Sequence, residues 1–599
     1  MRTSTCLALG ATVLASLGAV AVGCGSSSTC EERGDCVSDP CADPNYAASY
    51  PAACPDAGGT GGTGGTAGTG GDSGTDATGG TAGSSGTGGS EPGDAADEDQ
   101  STGGTGGDAD ADAEAGEDVY DAAEEPEAFW CNPAWEPSDN DCVIDEEFGI
   151  FASPTGADSA TCGAKNDPCK TIGQAMTRAK AEGKRVYACG DGGSYEESIA
   201  VDAALGGLTV FGGFHCGSWA YEPSAVRSGV MPSDGASALV VSGVSALDMR
   251  DFAFESRDAT GAGASSITAR VAGSTGVVFR NTTFKAGNGA AGTKGVAGAA
   301  GEVVPVVGTD QKGHDSTCGT ANPNGGGAWL TAFTCAAGGS TRGGAGGTAT
   351  YELPGNPGQP GTPNTNVVTP GMGQGGPGGT DTDKAGKPGQ TGSAGNAGAN
   401  GAAAAASGSL SESGYTPADG MDGTNGAPGQ GGGGSGASWS FTGCVGPSGG
   451  AGGLGGCGGF KGTKGTGGGA SIALLAWDSG VTLEQCTLTA GDGGKGGDGG
   501  NGGAASNGRL GAPGGFDATG DTASAGQAGP GGKGGNGGSG SGGTGGPSYA
   551  VVHHGTAPVN SGSTFAFGSG GGIGKGGSVG GAFPAPDGTV GAAGEMLGL

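Results

Sequence analysis

The sequence predicts an all-β solenoid, a stack of short strands from which long glycine-rich insertions leave. The first observation is a repeat, because residues 266–289 align with residues 471–493 once a gap is placed at Thr275. In both copies apolar residues alternate along two short stretches, which is typical of strands with one buried face. The second observation is composition: glycine supplies 149 of the 599 residues, and only 34% are hydrophobic. This balance indicates low-complexity segments around a modest core.

The repeat extends to five rungs, where a rung is a pair of short strands that forms one layer of the stack. The rungs lie at 208–214, 247–254, 277–284, 481–488 and 549–567. One rung cannot bury its apolar face alone, so we expect the stack to be the folding unit. Between its two strands each rung is expected to bend at a small or polar residue. The four expected bend residues are Gly212, Asp251, Asn281 and Gln485. Cys486 takes the inward position that Thr282 and Phe252 take in other rungs, and it is therefore predicted to be a buried free thiol.

A series of short motifs fills residues 149–201. In order they are Ser153-Pro154, Gly156, Asp158, Pro168, Lys170-Thr171-Ile172, Ala175, Val186-Tyr187, Gly193, Tyr195 and Glu196. The pattern resembles the entry to the pectate-lyase-like superfamily, and this resemblance implies a short right-handed parallel β-helix. The residues also predict a helix by themselves, because Ile172, Ala175, Met176 and Ala179 share one helical face and Gly183 ends it. We expect this helix to cap the open end of the stack.

The insertions carry glycine at every third position, as in residues 289–301 and 386–401. Triplet glycine is typical of polyproline II segments that pack against one another. Short, interrupted runs with little proline argue against collagen, which leaves packed polyproline II-like segments or flexible disorder as the alternatives. Two cysteine pairs expected inside the first insertion, Cys318 with Cys335 and Cys444 with Cys457, argue against full disorder.

The first residues predict export. Arg2 is followed by an apolar run that ends at Ala21-Val22-Gly23-Cys24. These four residues resemble a bacterial lipobox, which implies lipidation of Cys24 and sorting to the outer membrane or cell surface. An ordinary signal peptide cut near Gly23 is the alternative.

Composition then divides the chain. The predicted segments are a signal peptide at 1–23, a cysteine-stapled segment at 24–57, a disordered Gly/Thr-rich and acidic stalk at 58–128, a lead-in at 129–148, the cap and first rungs at 149–286, a glycine-rich insertion at 287–469, a rung at 470–493, a second insertion at 494–546, and the last rung with a tail at 547–599.

The 17 cysteines agree with an oxidising compartment. The disulfide candidates in the body and lead-in are Cys131, Cys142, Cys162, Cys169, Cys189, Cys216, Cys318, Cys335, Cys444 and Cys457. Zinc ligation would need clustered CxxC spacing and nearby histidines, and the chain has four histidines in all. We therefore expect no metal and no cofactor.

The formal charge of −34 argues against nucleic-acid binding, which needs a Lys/Arg footprint. One group of charged residues could form a catalytic cluster on a face of the β-helix. The simpler interpretation is that these side chains take outward positions of a rung and are solvated. Its members are Asp248, Arg250, Asp251, Glu255, Arg257 and Asp258. We expect a non-enzymatic, lipid-anchored surface protein that presents glycine-rich loops for adhesion or envelope structure, with a glycan or protein as ligand. The alternative is a polysaccharide-binding protein, or a polysaccharide lyase or hydrolase.

Overall fold

The computed structural model describes residues 131–599, apart from 234, 364–371, 442, 521–522 and 581–582. The predicted signal peptide, the lipidation site Cys24, the cysteine-stapled segment and the stalk lie outside the described residues. Within the described part of the chain, no helix has both the length and the apolar character needed to cross a membrane.

The regular structure is almost all β-strand. In chain order the strands are β1 (Gly149–Ala152), β2 (Arg185–Cys189), β3 (Ile199–Val201), β4 (Leu208–Phe214), β5 (Ser228–Val230), β6 (Leu239–Ser242), β7 (Leu247–Arg250), β8 (Phe252–Glu255), β9 (Ser266–Ala272), β10 (Val277–Arg280), β11 (Thr283–Lys285), β12 (Thr317–Cys318), β13 (Phe333–Thr334), β14 (Ser340–Thr341), β15 (Ser409–Ser411), β16 (Gly414–Thr416), β17 (Cys444–Val445), β18 (Ser471–Trp477), β19 (Val481–Glu484), β20 (Thr487–Thr489), β21 (Ser548–His554), β22 (Val559–Ser561), β23 (Thr564–Ala566) and β24 (Ala593–Gly598).

Three parallel sheets contain most of these strands. The first sheet has the order β1-β2-β4-β7-β10-β19-β22, the second β23-β20-β11-β8-β5, and the third β24-β21-β18-β9-β6-β3. From β3 onwards the chain enters the third, first and second sheet in turn, and we call each such passage a round. The prediction of an all-β fold built from parallel sheets is confirmed.

The strand register follows the sequence repeat. Val277 pairs with Val481 in the first sheet, and Ile267 pairs with Ile472 in the third. The 201 residues between β11 and β20 therefore add a single round to the sheets, and the rest of that stretch is an excursion.

One α-helix, α1 (Ile172–Glu182), packs against β1 and β2. Thr171 caps its first turn through a hydrogen bond to the Gln174 amide, and Gly183 ends it in the left-handed region at φ 69°. The four apolar residues of the predicted face are all buried. Among the described residues, three short 3-10 helices lie at Asp141–Val143, Ala203–Leu205 and Thr309–Gln311.

The core between the sheets consists of large apolar side chains in columns. Phe254 stacks on Phe252 and on Phe284, with ring centroids 5.4 Å apart in both pairs. Cys486 is 1% exposed, and its Sγ lies 3.3 Å from the Phe279 carbonyl oxygen. It has no disulfide partner in the described part of the chain.

The bends between the first and second sheets have left-handed backbone at Asp251, Asn281 and Gln485, with φ of 64°, 46° and 53°. The prediction of Gly212 is wrong by one residue, because Gly213 has the positive φ of 81°. Gly213 takes up the strain there because glycine has no Cβ to clash in this region. Asn281 donates from Nδ2 to Asp251 Oδ1 over 2.6 Å, which ties two successive bends together.

Five disulfides join described cysteines. Three are local: Cys131–Cys142, Cys162–Cys169 and Cys189–Cys216. The two pairings expected inside the first insertion are wrong, because the bonds are Cys318–Cys444 and Cys335–Cys457, across 126 and 122 residues. The insertion folds back on itself, with β12 antiparallel to β17, and this brings Cys318 opposite Cys444.

Three glycine-rich tracts leave the rounds at the same point, after a strand of the second sheet and before a strand of the third. They span 286–470, 490–547 and 567–592. The sequence analysis assigned the third to the tail, but it is followed by β24, which pairs with β21. We call the described residues of these tracts the glycine-rich bundle, and the sheets with α1 the sheet scaffold.

Candidate binding surface

The glycine-rich bundle is ordered by contacts between backbones. At Gly292, Gly295 and Gly298 an added Cβ would lie 2.1 Å from a carbonyl oxygen of the neighbouring segment, at Thr466, Thr463 and Phe460 respectively. No real Cβ approaches an atom so closely. Glycine recurs every third residue because every third residue faces that neighbour, which is the period of a polyproline II helix.

Segments inside the bundle need two glycines in each triplet. Gly455 faces the Gly429 carbonyl and Gly456 faces the Ser506 carbonyl, so successive residues contact two different segments at 2.0 Å from the added Cβ. Such doublets occur in the segments 343–347, 375–379, 449–459, 493–503 and 531–546, among others. The number of glycines in a triplet therefore reports how many neighbours that segment packs against.

Hydrogen bonds repeat with the same period. The amides of Gly292, Gly295 and Gly298 donate to the carbonyls of Lys495, Asp498 and Asn501 over 2.7–2.8 Å. The Phe460 amide, on a second neighbouring segment, donates to the Ala299 carbonyl over 3.0 Å. These bonds satisfy buried backbone groups that polyproline II helices leave unpaired within their own segment.

Short polar side chains bond amides at the corner where the tracts leave the sheet scaffold. Asp258 accepts from the Asn288 amide, Asn288 from the Asp492 amide, and Asp492 from the Ser569 amide, each over 2.7 Å. The ladder advances one round at each step. It fixes all three tracts at a common starting register.

Charged pairs line the outside of the bundle. Lys461 Nζ lies 2.6 Å from Asp422 Oδ2, and Lys464 Nζ lies 2.7 Å from Asp419 Oδ2. The hydrogen bond from Lys461, with another from the Lys464 amide, lowers the pKa of Asp422. The Lys575 amide and then Lys495 lower the pKa of Asp498 in the same way. These carboxylates stay charged and fixed at neutral pH.

Edge segments present two rows of side chains to solvent. In the segment 289–301, Thr293, Val296 and Ala299 are exposed in one row, and Lys294 and Ala297 in the other. A cleft of about 210 Å³ lies beside it and is lined by Lys294, Asp498, Asn501 and Lys575, among others. The bundle thus offers small, regularly spaced side chains on a backbone that its neighbours hold in place.

The residues considered as a catalytic cluster are dispersed. Asp248 accepts from Arg250 Nε over 3.0 Å on the first sheet, and Arg250 Nη1 lies 2.6 Å from Glu136. Asp251 faces the bend, where it accepts from the Tyr221 hydroxyl over 2.6 Å. Burial raises the pKa of Asp251.

The remaining members of that cluster also have partners. Glu255 lies 3.4 Å from Lys285 on the second sheet. Arg257 donates to the Pro232 carbonyl over 3.1 Å, and Asp258 starts the amide ladder. Each side chain is occupied by a structural contact, and the described residues contain no group of three or more potential metal ligands.

The motif residues of the cap have structural contacts. The Tyr195 hydroxyl shares its proton between the carbonyls of Ala152 and Cys189, at 2.8 and 3.0 Å. Asp158 accepts from the amide and hydroxyl of Thr171 over 3.0 Å each. Glu197, which the sequence analysis did not select, accepts from the Ile172 and Gly173 amides at the start of α1. These contacts hold the helix on the sheets.

Comparison with protein-family models, with curated proteins and with solved structures found no match. The candidate surface is therefore defined by its geometry alone.

Proposed function

We propose that this chain is a non-enzymatic, lipid-anchored protein of the bacterial outer membrane or cell surface. In this proposal a right-handed parallel β-helix presents the glycine-rich bundle for adhesion or for extracellular matrix or envelope structure. Cys24 carries the lipid, and the stalk at 58–128 separates the folded body from the membrane.

The β-helix interpretation rests on the order in which the chain enters the three parallel sheets. Every round visits them in the same sequence, and parallel crossovers are right-handed in about 98% of known cases. The motifs at 149–201 that resemble the pectate-lyase-like superfamily support the same interpretation.

One observation carries the functional proposal. The edge segments of the bundle keep two of every three side chains in solvent, on a backbone whose glycine amides are bonded to the next segment. A surface that is already ordered loses little conformational entropy when it binds, so even small side chains can contribute net affinity.

The binding experiment adds negative charges to this surface. Ala291, Ala297 and Ala300 lie in one exposed row, and changing all three to Glu leaves every packed glycine in place. We expect the triple variant to lose binding of the full chain to whole cells and to glycan arrays, with an unchanged melting temperature.

The matched control places the same three charges on the sheet scaffold, at exposed Ala160, Ala203 and Ala204. This variant has the same net charge and is expected to bind like the unmodified chain. Equal losses in both variants, or in neither, would contradict a role for the bundle surface.

The enzymatic alternative has its own assay. Purified full chain is incubated with polysaccharides, with and without calcium, and products are followed by chromatography. Depolymerisation that disappears in Asp248→Asn would favour the lyase or hydrolase interpretation and overturn the non-enzymatic one.

A further inference from the structure

One bend of the sheet scaffold departs from the pattern of its neighbours. Where the chain leaves the third sheet, four successive rounds place a residue in the left-handed region, at φ between 47° and 76°. Glycine takes this position at Gly243, Gly273 and Gly555, whereas the remaining round has Asp478. Glycine has no Cβ to clash in this region, so an aspartate there is strained by comparison. A side chain placed at a strained position points to a role for that side chain.

The Asp478 carboxylate holds a histidine in place. His554 Nδ1 lies 2.7 Å from Asp478 Oδ1, and the Asp478 amide donates to the His554 carbonyl over 3.0 Å. The His554 ring stacks on Trp477, with ring centroids 4.4 Å apart and ring planes 10° from parallel. Asp478 therefore fixes the imidazole, and the imidazole covers one face of the indole.

The other face of the indole borders an open space. Four residues are in register across neighbouring strands of the third sheet, in the order Ser242, Ala272, Trp477 and His554. Neighbouring strands lie about 4.8 Å apart, which is close to the separation of the two stacked rings. Beyond Trp477 the next side chain is the single methyl group of Ala272, and exposed Ser242 follows it. This leaves room for one further ring over Ala272, and we call that space the Trp477 slot.

Accessible polar groups lie beside the Trp477 slot. The indole N–H and the second carboxylate oxygen of Asp478 have no hydrogen-bond partner in the described part of the chain, and neither atom is buried. The Asp478 side chain is 58% exposed. Ser242 adds a hydroxyl on the far side of the slot. The slot therefore combines an apolar face with a donor and a charged acceptor that a ligand can reach.

We propose that the Trp477 slot binds one neutral pyranose ring of a polysaccharide. The C–H face of a pyranose is apolar and packs on an indole face, while its hydroxyls accept from the indole N–H and donate to the Asp478 carboxylate. That carboxylate, in a chain of formal charge −34, disfavours a sugar that carries a carboxylate of its own. The site lies on the sheet scaffold, so it does not rest on the role proposed for the bundle surface.

The test measures sugar binding in solution. Saturation-transfer NMR on the full chain uses three neutral probes, the methyl glycosides of glucose, galactose and mannose, and one acidic probe, the methyl glycoside of glucuronic acid. A site for one ring forms complexes too weak to survive the washing of an array, and this method detects them without washing. We expect at least one neutral probe to bind, and the glucuronide to bind at least about threefold more weakly than the tightest neutral probe, because like charges then lie close together.

Two variants alter the site and leave the core between the sheets in place. Trp477→Ala removes the stacking face and should weaken binding of the neutral probe by about tenfold or more. Asp478→Gly gives the bend the residue that the other rounds have, so the melting temperature should be unchanged or higher. The same variant loses the acceptor and should weaken binding by about five- to tenfold. The control is Trp439→Ala, which removes a partly exposed tryptophan of the bundle and should leave binding unchanged.

A third variant fills the slot and keeps Trp477. Ala272→Phe places a ring in the space that the sugar would take, and it should weaken binding by more than about tenfold because that space is lost. Its matched control is Ala200→Phe, which adds the same ring at an exposed position of the same sheet, in a different register. The control should bind like the unmodified chain.

Several results would overturn the proposal. These are no binding of any neutral probe, tighter binding of the glucuronide than of every neutral probe, or unchanged affinity in Trp477→Ala or Ala272→Phe. Loss of probe binding in the variant with Glu at Ala291, Ala297 and Ala300 would also overturn it, because the sugar would then lie on the bundle. If the proposal fails in one of the first three ways, the whole-cell assay of the bundle surface is unaffected.

Discussion

The sheet scaffold and the glycine-rich bundle are stabilised by opposite means. In the scaffold large side chains fill the space between sheets, as in the Phe252, Phe254 and Phe284 stack. In the bundle most contacts between segments are made without side chains, and carbonyl oxygens lie about 2.0 Å from where a Cβ would stand at Gly455 and Gly456. Both regions satisfy their backbone hydrogen bonds between segments distant in sequence.

This difference determines what a substitution does. Removing atoms from the scaffold leaves a cavity and loses apolar burial. Adding atoms to the bundle forces backbones apart, because a carbonyl cannot move aside like a flexible side chain. The two regions should therefore respond in opposite ways to smaller and larger residues.

The largest effect is expected in the scaffold. Phe279 is fully buried, and Phe279→Ala should lower the free energy of unfolding by about 3–5 kcal/mol. Thermal or denaturant unfolding of the full chain measures this. Phe583 is 91% exposed in the bundle, and Phe583→Ala should stay within about 0.5 kcal/mol of the unmodified chain. Similar costs at the two positions would mean that the bundle too relies on apolar burial.

The second-largest effect on stability is expected from removing a disulfide. Replacing Cys335 and Cys457 by Ala opens a loop of 122 residues and should cost about 2–4 kcal/mol. The matched change at Cys162 and Cys169 opens a loop of 7 residues, and it should cost about 2.5 kcal/mol less because closing the shorter loop constrains the unfolded chain less. Both pairs are buried, so differential scanning calorimetry compares loop length at similar burial. A larger loss at the short loop would contradict the entropic explanation.

Two adjacent glycines test the packing of the bundle. A Cβ at Gly571 would lie 1.9 Å from the Gly494 carbonyl oxygen, whereas at Gly572 the nearest atom is Lys495 Cγ at 3.7 Å. Gly571→Ala should cost about 1–3 kcal/mol through overpacking. Gly572→Ala should be neutral, or stabilising by up to about 1 kcal/mol, since it restricts the unfolded chain. The melting temperatures of the two single variants test this difference. Equal destabilisation would show that close backbone packing at Gly571 is not what makes its substitution costly.

Much of the scaffold could be predicted from the sequence. The alternation of apolar residues gave the correct register of β10 with β19, because a shift by one residue would turn Val277 and Phe279 to the wrong face. The spacing of apolar residues and Gly183 also predicted α1 correctly, because the buried face and the end of a helix each require particular residue types.

The bundle was less predictable, for a physical reason. A period of three looks the same after every shift of three residues, so repetition alone cannot specify which segments meet. The pairing of Cys318 with Cys444 and Cys335 with Cys457 depends on that choice. An apolar cavity of about 310 Å³ beside Leu410, Pro547 and Val590 was also missed, since its walls come from three tracts that the sequence does not align. Glycine doublets were the unused signal, because they mark segments with two neighbours.

The smallest expected effect is the loss of stability in acid. Hydrogen bonds lower the pKa of Asp422, Asp498 and Asp587 in the bundle, chiefly from Lys461, the Lys575 amide and the Gly576 amide respectively. A lowered folded pKa contributes stability that is complete above the ordinary value of about 3.9 and is lost as the pH falls through the folded value. Asp251 in the scaffold has a raised pKa through burial, so acidification relieves a cost there.

We therefore expect the bundle to lose stability before the scaffold as the pH falls below about 4. These aspartates are largely open to water, and each contributes at most about 0.2–1 kcal/mol. Changing Asp422, Asp498 and Asp587 together to Asn should lower the melting temperature at pH 7 and flatten its decline in acid. Asp251→Asn should leave that decline at least as steep as before, because protonation of the buried Asp251 carboxylate relieves a cost and so offsets part of the loss. Parallel pH profiles for the triple variant and the unmodified chain would mean that backbone packing alone holds the bundle.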